Sequence, residues 1–126
     1  EIELGMQEEA ETAIDVQQFY KCLTDEVRIK TLMLSHYFGE ICVCELMEAL
    51  HEADQPKVSR NLAVLRKAGI LVDRKHGQWV FYHINPKLPL WAKSVLRQTT
   101  ESNTALIKEE TERLKLMQNR PNKVGF

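Results

Sequence analysis

The chain is poor in the residues that staple, hinge or anchor a protein. Its 126 residues include only three cysteines, five glycines and four prolines. An odd cysteine count argues against a framework of paired disulfides, leaving buried residues or soft-metal ligands as the open readings. No apolar run approaches the roughly 18 residues of a membrane span, so no membrane partner is expected. There is no glycine-rich phosphate loop, nucleophile elbow or pair of catalytic carboxylates, so catalysis has no support and no organic cofactor is expected. The acidic start lacks the basic flank of a secretory signal. Met6 reads as a natural start preceded by five added residues, and the expected compartment is the cytoplasm, where thiols stay reduced. No repeat, low-complexity tract or linker interrupts the chain. It therefore reads as one domain over 1–126, with a core of about 8–117 and flexible ends at 1–7 and 118–126.

What is present is a globular composition, 44% hydrophobic and 28% charged. The net charge of −1 is unevenly spread. Residues 1–15 carry −6, whereas residues 55–76 carry +5 through Lys57, Arg60, Arg66, Lys67, Arg74 and Lys75 against Asp73. A basic segment in an acidic chain is a candidate phosphate-binding face, the alternative being an ordinary solvated surface.

The pattern predicts a first helix from about Glu8 to Cys22. A second is N-capped by Thr24, carries Val27, Leu34 and Phe38 on its apolar side and ends at Gly39. A short helix follows Glu40-Ile41-Cys42-Val43-Cys44-Glu45-Leu46 and ends near His51. Asp54 and Pro56 open the next, which Gly69 closes. Its residues Val58, Leu62 and Leu65 share one buried face; Pro56, Arg60, Ala63 and Lys67 lie roughly opposite, flanked by Gln55, Lys57 and Ser59. Two β-rich runs around His76-Gly77-Gln78 read as a hairpin. Asn85-Pro86 breaks the second run, and a long final helix is expected from Pro89 to about Met117. The fold class is α+β, mainly α: a winged helix-turn-helix with a two-stranded wing and N- and C-terminal dimerisation helices.

Such a helix fits the major groove of double-stranded DNA. Arg60 suits guanine, Gln55 adenine, Ser59 either, and Ala63 permits close approach, with Lys57 beside them. Arg74, Lys75 and His76 would meet phosphate or the minor groove. The alternative is a helix and hairpin that merely pack. One short helix reads few base pairs, so a homodimer is expected. Ile14, Trp91, Val95, Leu106 and Leu114 are candidate interface residues, or else monomer core.

Cys42-Val43-Cys44 is the sharpest chemical feature. Residues two apart diverge by about 200° on a helix but share a side in an extended segment. The pair can chelate only if this stretch is extended or the helix start is distorted, and a ligand demanding both sulfurs would act just before the reading helix. Soft ions such as Cu(I), zinc and cadmium, or thiophilic arsenite, fit two thiolates; two buried thiols are the alternative. Cys22 reads as core and as a candidate third ligand. Met47 reads as core rather than ligand. The four histidines show no metal spacing.

Cys22-Leu23-Thr24-Asp25-Glu26-Val27-Arg28, Glu40-Ile41-Cys42-Val43-Cys44-Glu45-Leu46, Gln55-Pro56-Lys57-Val58-Ser59-Arg60-Asn61-Leu62, Leu65-Arg66-Lys67-Ala68-Gly69-Ile70-Leu71 and Asp73-Arg74-Lys75-His76-Gly77-Gln78-Trp79-Val80-Phe81-Tyr82 together resemble the ArsR/SmtB family of metal-responsive winged-helix repressors. Within it they are most similar to the arsenic-operon repressors, over roughly residues 12–100. The resemblance implies a homodimeric repressor that leaves its operator when As(III), or Sb(III), binds Cys42 and Cys44. It also implies Gln55, Ser59 and Arg60 in the major groove and Arg74 and Lys75 on the wing. Met47 stands where the family's third cysteine is usual, and Asn61 where a histidine is frequent. The third ligand is then Cys22, a small thiol such as glutathione, or hydroxide, with an exogenous ligand slightly favoured. Residues 85–126 contain no His or Cys, against the family's zinc sensors, and residues 1–21 lack the cysteines of its cadmium/lead sensors. A cadmium, lead, zinc or thiol-redox sensor of the same fold remains the rival, beside a DNA-binding module with no inducer.

Overall fold

The computed structural model describes residues 11–117, in the order α1 (Val16–Cys22), α2 (Glu26–Phe38), β1 (Ile41–Cys42), α3 (Val43–Leu50), α4 (Gln55–Lys67), β2 (Leu71–His76), β3 (Trp79–Ile84), α5 (Leu90–Ser102), a 3-10 turn (Thr104–Ile107) and α6 (Lys108–Leu116). Among the described residues no helix is long and apolar enough to cross a membrane.

The first helix is shorter than its sequence pattern predicts. Asp15 accepts from the Gln18 N–H and caps α1, while residues 11–15 are not helical and residues 8–10 lie outside those described. The Thr12 N–H instead donates to the Lys87 carbonyl, and the Asn85 amide donates to the Thr12 hydroxyl. The cap of α2 is Asp25, which accepts from the Arg28 N–H, not Thr24. The Thr24 hydroxyl donates backward to the Lys21 carbonyl, finishing the preceding helix.

Helix α2 is the central element: Thr31 to Ser35 are all buried, and it packs against α4, α5, the 3-10 turn and the sheet. Phe19, Leu32, Leu34, Leu46, Leu62, Leu65, Ile70, Leu71, Leu96 and Leu114 join one core. Gly39 ends α2 at φ +90°, a left-handed value that side chains resist, and turns the chain into β1.

The wing carries a third strand that the sequence does not announce. β1 pairs antiparallel with β3, giving the order β1-β3-β2. His76 pairs with Trp79 across a two-residue turn, and Gly77 at its first position has φ +62°, the II′ arrangement.

The final helix is interrupted. α5 stops at Asn103 (φ −134°, ψ 38°), and α6 resumes after the 3-10 turn. The Asn103 amide donates to the Thr99 carbonyl and the Thr100 hydroxyl to the Leu96 carbonyl. The first takes the acceptor that the Asn103 N–H would use in a continuing helix, and that N–H donates to the Thr100 carbonyl instead. The break lets Ile107 and Leu114 enter the core. Leu114 is fully buried within the chain, which removes it as an interface candidate.

Candidate nucleic-acid interface and thiol site

Helix α4 forms as its sequence predicts. The Asp54 carboxylate accepts from the Lys57 N–H at 3.1 Å, and Pro56 occupies the first turn, where its missing N–H costs nothing. Val58, Leu62 and Leu65 are buried, whereas Gln55, Lys57, Ser59, Arg60 and Ala63 are exposed. The Arg60 side chain has no hydrogen bond or ion pair among the described residues. Lys57 is less free: its Nζ lies 3.1 Å from Glu52 Oε1. The Asp54 N–H and Lys57 together hold the Glu52 carboxyl below its ordinary value.

Asn61 turns away from the exposed face. Its Oδ1 accepts from Arg28 at 3.0 Å and its amide donates to the Lys57 carbonyl. Arg28 also donates to the Cys22 carbonyl at 3.1 Å, tying the end of α1 to α4 through α2. Sequence reasoning gave Arg28 no role; its partner lies 33 positions away.

The thiol pair sits where β1 becomes α3. Cys42 is extended (φ −98°, ψ 168°) and N-caps α3, so the two sulfurs converge to 2.7 Å. The Cys42 N–H donates to Glu45 Oε1 at 3.0 Å, and the Cys42 sulfur faces the Glu45 N–H, the reciprocal arrangement of a capping box. The Glu45 carboxylate is fully buried. Cys42 is 2% exposed, whereas Cys44 is exposed. Burial pushes the Cys42 thiol well above its ordinary range. The Cys44 sulfur and the Glu45 carboxylate add to the rise, and the Glu45 N–H opposes it.

The cleft beside the thiols has a volume of about 290 Å³ and is lined by Cys42, Cys44, Met47, Gln55, Gln78 and Trp79, among others. The sulfurs, the first residue of α4 and the tip of the wing therefore border one space. Cys22 is elsewhere, buried in the core at the end of α1, and burial raises its thiol too. Among the described residues no three His, Cys, Asp or Glu side chains gather as a metal site. The structure thus does not bring Cys22 to the pair, and it is Met47 that lines the cleft.

On the wing, Lys75 and His76 are exposed. Arg74 is engaged: its Nε and Nη2 donate to the two Glu40 oxygens at 2.7 and 2.8 Å, and its guanidinium lies 4.8 Å over the Phe81 ring. The pairing holds the Glu40 carboxyl below its ordinary value. Glu40 stands two residues before Cys42, and its partner on the wing, 34 positions away, left no signal in that local sequence.

The interface candidates divide. Ile14 and Val95 are half-buried and pack against the core. Leu106 is 49% exposed, and Trp91 is partly exposed with its ring 5.0 Å from Phe19 and stacked on Tyr20. Val16, Tyr20 and Leu90 are exposed as well, although sequence reasoning passed over them.

Residues 25–72 match the bacterial regulatory protein, arsR family. The chain is 47% identical over 102 residues to the arsenic resistance transcriptional regulator ArsR2 of Pseudomonas putida, covering 81% of this chain and 88% of that protein. It is 47% identical over 79 residues to the arsenical resistance operon repressor of Escherichia coli K12, covering 63% and 67% respectively. Among solved structures, HlyU from Vibrio cholerae superposes with a TM-score of 0.61 at 26% identity, over 70% of this chain and 90% of that one.

Proposed function

The chain belongs to the ArsR family of bacterial regulatory proteins, and from that premise we propose that it represses transcription as a homodimer on operator DNA and is released when As(III) bridges Cys42 and Cys44. It is a transcriptional repressor similar to arsenic resistance regulators, not an enzyme. The observation that carries the finer reading is the convergence of the two sulfurs in the cleft shared by Gln55 and the wing tip.

The chemistry of the pair favours an arsenical over a simple divalent cation. Zinc or cadmium takes thiolates and drives two protons to solvent as it binds, and among the described residues no third His, Cys, Asp or Glu gathers with the pair to build a tetrahedral site. Arsenous acid carries its own hydroxides. Each thiol proton leaves with an As–OH oxygen as water while an S–As bond forms, so the raised thiol is no obstacle. Two such exchanges use two thiols and release two waters. The third valence keeps hydroxide or takes a small thiol.

Release follows from where the sulfur sits. Cys42 is at once ligand and N-cap of α3, and α3 packs directly on α4. Binding that reorients the Cys42 sulfur disturbs the first turn of α3 and, through it, the reading helix. For this to expel DNA, arsenite must bind the DNA-free form more tightly. The reading helix supplies Gln55, Lys57, Ser59, Arg60 and Ala63 to the groove, and the wing supplies Arg74, Lys75 and His76. The exposed Trp91 and Leu106, with the half-buried Ile14 and Val95, give the dimer seam. Reduced thiols require a reducing compartment, hence the cytoplasm.

The test is fluorescence anisotropy on a labelled duplex from the protein's own promoter, titrated with arsenite, beside Cys42→Ser and Cys44→Ser. Wild type released by arsenite while both variants stay bound supports the reading. Binding that ignores arsenite but answers cadmium would replace the inducer, and no binding at low salt would remove the DNA assignment.

A further inference from the structure

This inference rests on the repressor reading and concerns the wing cation that reading would employ. Arg74 already has a partner when no DNA is present. Glu40 offers two oxygens to one guanidinium at 2.7 and 2.8 Å, the paired geometry that a backbone phosphate also offers. The Phe81 ring beneath the guanidinium fixes its plane. The neighbouring Lys75 side chain, by contrast, has no hydrogen bond or ion pair among the described residues.

Glu40 is well placed to take part in regulation. It stands between the Gly39 turn and Cys42, two residues ahead of the sensing thiol. It also has a second nitrogen in reach: His83 Nδ1 lies 3.5 Å from Glu40 Oε2, and this buried atom has no hydrogen-bond partner. A carboxylate that gives up Arg74 therefore keeps an imidazole beside it, which can donate if its Nδ1 is protonated.

We propose that Glu40 is an internal stand-in for a DNA phosphate, a positioning residue that holds Arg74 in the free protein and yields it to the duplex. The wing cation is thereby shared between the strand that carries Cys42 and the DNA. Glu40 sets the threshold for wing engagement, and any shift of β1 alters it.

The experiment compares wild type, Glu40→Gln, Arg74→Ala and the double variant by anisotropy on the same duplex across a salt series. Glu40→Gln is expected to bind roughly threefold tighter per protomer, the scale of an exposed ion pair removed from competition. Arg74→Ala is expected to flatten the salt slope by about 0.9 per protomer, one phosphate contact. In the Arg74→Ala background Glu40→Gln should change nothing. A gain that persists there would mean a general charge effect, and weaker binding by Glu40→Gln with unchanged thermal stability would mean a wing-scaffold role; either overturns the proposal. A readout without duplex separates this from the repressor reading. Tripolyphosphate should shift the NMR signal of the Arg74 Nε–H in Glu40→Gln at concentrations that leave wild type unmoved. Equal response in both proteins overturns the proposal even if no duplex is bound.

Discussion

Cys42 stands directly opposite Phe81 across the β1–β3 pairing, and the next strand places Arg74 opposite the same Phe81. Directly opposed residues project to the same side of a sheet. The three side chains thus form a row from the thiol to the wing cation, with a fully buried ring in the middle. Phe81→Leu keeps an apolar filler, should cost about 1–1.5 kcal/mol of stability, and removes the platform under Arg74. Operator binding is expected to survive while the arsenite concentration needed for half-release rises severalfold, read by anisotropy at matched protein concentration. Unchanged release in a folded variant would place the coupling in the α3–α4 contact alone.

Glu45 is the second buried link. Its carboxylate accepts from the Cys42 N–H. Glu45→Ala leaves that donor buried without its acceptor, a loss of about 1–3 kcal/mol, or roughly 5–15 °C in Tm for a domain of this size. Glu45→Gln keeps an acceptor oxygen and should lose less than half as much. Calorimetry on both variants decides the matter, and equal losses would mean that the charge, not the capping geometry, is what counts.

The parts of this fold that rest on local chemistry could be read from the sequence. Val58, Leu62 and Leu65 recur at helical spacing, Asp54 and Pro56 mark a start, and Gly39 and Gly77 occupy left-handed positions that few other residues accept. Thr24 and Asp25 are adjacent and both capable of capping, so spacing alone could not choose between them. β1 has two residues, too few to show an alternating period. Asn103 interrupts the last helix without a proline or glycine, through side-chain bonds to carbonyls that any Thr or Asn might or might not make. The chelating geometry was legible only as a condition, that the Cys pair be extended or distorted at a helix start, and Cys42 meets it by being the N-cap. The Glu40–Arg74 pair spans 34 positions and depends on β1 reaching β3, which no local pattern encodes.

Stability should decline in alkali through Cys42. Its folded value is raised, chiefly by burial, above an ordinary value of 9.0. Above that ordinary value the unfolded chain gives up the thiol proton while the folded chain keeps it, so the folded state is progressively disfavoured. The stabilisation is complete below the ordinary value and is lost as pH rises toward the folded one. Cys22 has the same sign, and so does Tyr82, which burial raises above an ordinary value of 10.0; Lys30, raised chiefly by Glu110, enters only above its ordinary 10.5. Urea midpoints from about pH 8 to 10 should therefore fall in wild type and fall less steeply in Cys42→Ser. Parallel curves would show that Cys22 and Tyr82 carry the whole effect.

The exposed cations of α4 and the wing should separate by what they read. Arg60 lies on the exposed face of α4, where a guanidinium can meet guanine in two places. Lys75 lies on β2 beside the turn, where an ammonium meets phosphate. Arg60→Ala is expected to cost about 1–3 kcal/mol on the operator and little on an unrelated duplex, narrowing the gap between them. Lys75→Ala should weaken both duplexes alike and flatten the salt slope by about one per protomer. Measuring both variants on both duplexes over a salt series tests the assignment as a pattern rather than as a single loss. If Arg60→Ala weakened the two duplexes equally, α4 would be gripping the backbone, and base readout would have to come from Gln55, Ser59 or the wing.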